Sequence, residues 1–192
     1  MIASFEKYLR LQTDLNQDDI NRIIGLAVQR KLRRNEFLLR EGDICRHKIF
    51  IASGMLRLYG LAPDGSEHIL QFAPESSWTL DVESYDREVP AHTNIVAVEP
   101  SELLLWPKAD FTRLLDDIPQ LKNFSQQLIS RNIYNSRQRL LTTLGGTPEQ
   151  KYEDFVQNSP GLLPRLPLWM IASYLGISLK TLTRIRHAQL QR

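Results

Sequence analysis

The chain has 192 residues, 42% of them hydrophobic and 24% charged, a balance typical of folded globular proteins with a substantial core. No apolar run reaches the roughly 20 residues that span a bilayer, and the N-terminal "MIASFEKYLRLQTDL" has scattered charges instead of a signal-type apolar stretch. A single cysteine, Cys45, excludes an intramolecular disulfide and an all-cysteine metal or iron–sulfur site within one chain, and a cytoplasmic location is expected. The net charge of +2 is unevenly spread. Asp154 is the last acid, and residues 155–192 carry Arg165, Lys180, Arg184, Arg186 and Arg192, against 19 basic and 22 acidic groups before them. A basic end on an acidic body suggests a polyanionic partner for that end.

Residues 1–30 read as helical. Leu15, Ile20, Ile23, Ile24 and Ala27 recur at helical spacing, and "TDLNQDD" supplies caps and early acids. From Phe37 to Trp106, short apolar stretches alternate with turns, and Pro63-Asp64-Gly65 is a strong hairpin signal. Strands at this spacing predict a small antiparallel barrel or sandwich. "KADFTRLLDD" predicts a short helix that stops near Pro119. A longer helix of about 25 residues, roughly 37 Å at 1.5 Å per residue, follows and ends at Gly145-Gly146. Its apolar positions (Leu121, Phe124, Leu128, Ile129, Ile133, Leu140, Leu141, Leu144) exceed what one core requires, so a homodimer through residues 119–144 is expected. Thr147, Pro148 and Gln150 open another helix. The chain therefore reads as α+β, with a sensor domain at 1–118, the dimerisation helix at 119–144, and a helical domain at 147–192 that begins after the glycine hinge.

"LPLWMIASYLGISLKTLTRIRHAQ" predicts a helix-turn-helix. Ile171, Ala172 and Leu175 share one face, Gly176 supplies a turn residue that tolerates positive φ, and Ile177, Leu182 and Ile185 point inward from a second helix capped by Ser178. That second helix has no acid. The candidate DNA-binding residues are Ser178, Lys180, Thr181, Thr183, Arg184 and Arg186, with Arg184 placed to contact guanine and Arg186 and Thr183 to hold the backbone. Trp169 and Tyr174 are expected to pack or to touch the DNA backbone. Two copies on a dimer would match a palindromic site in double-stranded DNA. The alternative is a ligand-sensing module whose C-terminal corner binds a protein. With five residues after His187, no wing is expected to follow the second helix. The sequence has no catalytic trio, P-loop or zinc-protease motif, and no enzyme activity or metal site is expected.

The layout resembles the Crp/Fnr (catabolite-activator-like) family of bacterial transcription regulators. "LLREGDICRHKIFIASGMLRLYGLAPDGSEHILQF" is similar to that family's barrel signature, "TNIVAVEPSELLLW" to its closing strands, and "IASYLGISLKTLTRIR" to its helix-turn-helix. The resemblance implies a cyclic-nucleotide-binding-like jelly-roll barrel, a long dimerisation helix, DNA as partner, and RNA polymerase as a further candidate partner. Members that bind cyclic AMP carry a glycine-glutamate pair, then an arginine and a small hydroxyl residue. Here that region is "APESSWTLDVESYDREVPAHTNIVAV", with no Gly-Glu pair and with Ala91 or His92 at the arginine position. A cyclic nucleotide as cofactor is therefore disfavoured. The candidate ligand pocket comprises Glu75, Trp78, Asp81, Glu83, Ala91, His92 and Thr93; its acids should repel a phosphodiester. Arg87, in the same loop, is the arginine that could swing in to replace the missing one. Histidines 47, 68 and 92 have no haem-like partner spacing, and Cys45 reads as an ordinary turn cysteine.

Overall fold

The structure is a computed structural model that describes residues 1–190, with side chains to Ala188; Arg192 of the basic end lies outside the described residues. The N-terminal segment forms two helices, α1 Ile2–Gln12 and α2 Gln17–Gly25. Asn16 accounts for the break. Its side chain accepts from the Asp19 backbone N–H at 2.8 Å, so α2 starts afresh with Asp18 and Asp19 in its first turn, where the helix dipole favours carboxylates. Leu15 continues the apolar series across the break because it is buried without being helical. The expected helix to residue 30 is corrected at its end, where Val28–Leu32 is strand β1.

Seven further strands follow: β2 Phe37–Leu39, β3 His47–Ser53, β4 Met55–Leu61, β5 Glu67–Pro74, β6 Ser77–Thr79, β7 Asn94–Ala97 and β8 Ser101–Pro107. They form two four-stranded sheets, β1-β8-β3-β6 and β2-β7-β4-β5. The arrangement is a jelly roll of two sheets and not a closed barrel. Between β3 and β4, Gly54 takes φ of 87°, and a Cβ there would stand 2.6 Å from the Pro100 carbonyl, so glycine is required.

Period-2 alternation divides the core into two layers. Ile49 and Ile51 of β3, Leu103 and Leu105 of β8, and Leu32 of β1 turn inward. They meet Leu39, Leu56, Leu58, Ala73, Ile95 and Ala97. The other face of the first sheet carries Phe50, Ala52, Trp78, Leu104 and Trp106. Covering it are Phe5 and Leu9 of α1, Ile20 and Ile23 of α2, Phe111 and Leu114 of α4 (Lys108–Asp117), and Leu121 and Phe124 at the start of α5 (Pro119–Gly145). Both buried indoles find acceptors. Trp106 Nε1 donates to the Ile23 carbonyl at 2.8 Å and Trp78 Nε1 to the Tyr8 hydroxyl at 3.0 Å.

Two units divide the molecule, one of Met1–Gly60 with Leu70–Leu128, the other of Leu61–Ile69 with the chain from Ile129 onward. The second unit holds most of α5, α6 Pro148–Asn158, a 3₁₀ turn Pro160–Leu162, α7 Leu168–Leu175 and α8 Leu179–Leu190. α6 opens with a reciprocal capping box: Gln150 N–H donates to Thr147 Oγ1 at 3.3 Å, and Thr147 N–H to Gln150 Oε1 at 2.9 Å. The hairpin tip Leu61–Ile69 belongs to this unit through side chains far along the sequence. Ser173 Oγ donates to the Glu67 carbonyl at 2.6 Å and accepts from Ile69 N–H at 3.1 Å. Arg139 donates to the carbonyls of Ile69 (3.1 Å) and Tyr174 (2.8 Å), with its guanidinium 3.8 Å above the Tyr174 ring.

Candidate DNA interface

The C-terminal corner is built as its spacing predicts. Ile171, Ala172 and Leu175 of α7 are buried with Leu182 and Ile185 of α8, and Ile177 is half-buried. Tyr152 and Phe155 of α6 and Leu166 and Met170 are also buried in this unit. Gly176 ends α7 at φ 63°, in the left-handed region. A Cβ there would meet nothing within 4 Å, so the backbone conformation and not crowding selects glycine. The small residue needed for close packing in the helical layer is Ala172, at 3% exposure.

The six candidate contact residues separate by what their side chains already do. Ser178 Oγ accepts from the Thr181 N–H at 3.1 Å and bonds Thr181 Oγ1 at 2.9 Å, so it caps α8. Thr183 Oγ1 donates back to the Leu179 carbonyl at 2.9 Å. Lys180 and Arg184 are exposed, and Arg186 is half-buried. Arg184 Nη2 donates to Glu149 Oε1 at 2.9 Å. Glu149 was missed in the sequence, where it lies 35 residues from Arg184 and carries only the signature of an early-turn acid in α6. Trp169 is exposed. Tyr174 is half-buried beneath Arg139, with Phe155 at 5.6 Å.

The seven residues of the candidate ligand pocket do not converge. Trp78 pairs with Phe50 across β6 and β3, and Phe50 with Leu104 across β3 and β8, so register places Trp78 in the outer aromatic layer, away from the space between the sheets. Glu75 is exposed at the β5–β6 turn, and His92 is exposed. Glu83 is exposed and ion-paired with Arg87 at 2.7 Å along their own helix, α3 Val82–Arg87. Ala91 is buried between the sheets, bonded through its backbone to Gly42 and Asp43. Asp81 and Thr93 do meet. Thr93 Oγ1 donates to Asp81 Oδ2 at 2.6 Å, while Asp81 Oδ1 accepts from Ser84 N–H at 3.0 Å and so caps α3. Asp81 is 8% exposed. The end of α3 that could receive an anion thus holds the chain's own carboxylate. Cys45 is buried and its thiol is pushed up by desolvation, away from the reactive thiolate.

A jelly roll, a 27-residue helix and a helix-turn-helix with a basic, acid-free second helix define the class of DNA-binding transcription regulators. Residues 29–117 match the cyclic nucleotide-binding domain family. The transcriptional activator protein anr of Pseudomonas aeruginosa is 25% identical over 185 residues, covering 88% of this chain and 72% of its own length. The nitrogen fixation regulation protein FixK of Bradyrhizobium diazoefficiens is 27% identical over 160 residues, 78% of this chain and 66% of its own. The structure of FixK2 from Bradyrhizobium japonicum superposes with a TM-score of 0.75 at 16% identity, covering 86% of this chain and 84% of that one. Over most of its length the chain is thus similar to proteins named as transcription regulators, and it shares the fold of FixK2.

Proposed function

We propose that the protein is a homodimeric, sequence-specific DNA-binding regulator whose two α8 helices enter successive major grooves of a palindromic site. The observation that carries this reading is α8 itself. Lys180, Arg184 and Arg186 lie on a helix without an acid, on a corner whose Ile171, Ala172, Leu175, Leu182 and Ile185 are spent on packing. Lys180 and Thr181 fall in the first turn, where the helix dipole favours phosphate; Arg184 is the base-reading residue, and Arg186 with Thr183 supports the backbone contact. The second copy is supported by the exposed apolar stripe of α5, which includes Ile129, Ile133, Leu140 and Leu144 at 47–78% exposure. Relatives named as transcriptional activators support activation, with RNA polymerase as the further partner, in the cytoplasm. Fluorescence anisotropy on genomic fragments at two salt concentrations tests this. Binding should weaken steeply with salt, and Arg184→Ala should lose about 1–3 kcal/mol of discrimination, more than Arg186→Ala. Salt-independent binding, or none by a verified dimer, would leave the protein-binding alternative.

The jelly roll does not take cyclic AMP in the family's usual way on this reading, because Asp81 already occupies the start of α3 and Arg87 is engaged by Glu83. Titration calorimetry with cyclic AMP should show no tight binding. Asp81→Ala should lower stability by about 1–2 kcal/mol through loss of the cap, measured by urea unfolding. Tight binding lost on changing Ala91 or Arg87 would reverse this assignment.

A further inference from the structure

Arg184 is a long, exposed side chain, and a long free side chain loses rotamer freedom when it docks. Here it is already held. Its Nη2 donates to Glu149 Oε1 at 2.9 Å. Glu149 follows Pro148 at the start of α6, where the capping box of Thr147 and Gln150 fixes the backbone. Its carboxylate is shifted below its usual range, first by its own backbone N–H and then by Arg184. The anchor is thus a short, ionised side chain on a capped helix end. One Nη2 hydrogen goes to Glu149. The other Nη2 hydrogen and those on Nη1 and Nε remain, enough for the two-donor contact that guanine O6 and N7 accept.

We propose that Glu149 is a specificity-determining positioning residue, which orients the Arg184 guanidinium for base contact. The proposal rests on the reading of Arg184 as the base-contacting residue. The same carboxylate stands beside the face offered to phosphates, so it opposes DNA binding of every sequence. Glu149 therefore has opposite effects on two measurable quantities: it weakens binding to any duplex and sharpens the preference for the right one. A merely structural residue would shift neither in this pattern.

The test uses full-length protein, the preferred duplex and a scrambled duplex of equal length at one salt concentration. Glu149→Ala should bind the scrambled duplex more tightly while its preferred-to-scrambled ratio falls about three- to tenfold, the size of one side chain's ordering loss. Glu149→Gln keeps an acceptor oxygen and should retain more of the ratio than Glu149→Ala, with a similar gain on scrambled DNA. The double variant Glu149→Ala/Arg184→Ala should show the ratio of Arg184→Ala alone, because Glu149 acts through Arg184. If Arg184→Ala lowers the ratio and Glu149→Ala leaves it unchanged, the positioning role is overturned and the base-contact reading stands. If Arg184→Ala itself leaves the ratio unchanged, both fall together.

Discussion

If the proposed dimer forms through α5, Ile133→Glu/Leu140→Glu is expected to leave the protein monomeric and to lower its affinity for a palindromic site on the order of 100-fold or more, because the second half-site is no longer bound at high effective concentration. The expectation follows from where α5 keeps its apolar side chains. Ile133 and Leu140 are 47% and 56% exposed, and Ile129 and Leu144 extend the same side of the helix. Arg139 points elsewhere, into the carbonyls of Ile69 and Tyr174, so the stripe is free of the contacts that hold the hairpin tip. Two carboxylates facing two more across a symmetric interface would be desolvated and mutually repelled. Sedimentation equilibrium with anisotropy on the same samples reads both effects, and unchanged circular dichroism reports an intact fold. A double variant that remains dimeric would place the second copy on another surface.

Trp106→Ala is the second large expectation, a loss of about 3–5 kcal/mol, which is a large share of the roughly 5–15 kcal/mol that holds an ordinary domain together. Trp106 is fully buried. Its ring centroid lies 5.0 Å from that of Phe5, 5.4 Å from Trp78 and 6.1 Å from Phe111, so it touches α1, β6 and α4 at once. Removing it also strands the Ile23 carbonyl that its Nε1 satisfies. Trp106→Phe should retain about half of the stability through ring packing. Urea unfolding followed by circular dichroism makes the comparison. A change below about 1 kcal/mol would mean that the outer aromatic layer is not what stabilises the jelly roll.

What the sequence made legible was local. The helix-turn-helix depends on residues within a 15-residue span, from Ile171 to Ile185, and each of its offsets is a statement about neighbouring turns. The long helix ends at its glycine pair, and strands β2–β5, β7 and β8 coincide with apolar stretches between turns. The jelly-roll class followed from those stretches together with the family resemblance. Other features depended on partners far along the chain. Strand β1 has four exposed residues of five and is held by its ladder to β8, so it offers no burial pattern to read. The face taken by Trp78 is set by its register with β3, a tertiary fact. α3 was not expected because its six residues carry little periodicity, and Asp81 reads as one more pocket acid until its bonds to Ser84 and Thr93 are seen. Glu149 is invisible for the same reason: absence of acids within α8 does not exclude an acid from another helix beside it.

The hairpin tip has a consequence for the order of synthesis. Ile69 must wait for Ser173, 104 residues later, to receive the side chain that bonds its N–H, and 70 residues for the guanidinium that meets its carbonyl. At about 5–20 residues per second, the ribosome leaves that strand end without its partners for about 5–20 s. Through that interval Glu67 and Ile69 present backbone groups to any passing strand. The charged and turn-forming residues nearby, Asp64, Gly65 and His68, are the chemistry that discourages such pairing until the C-terminal helices are made.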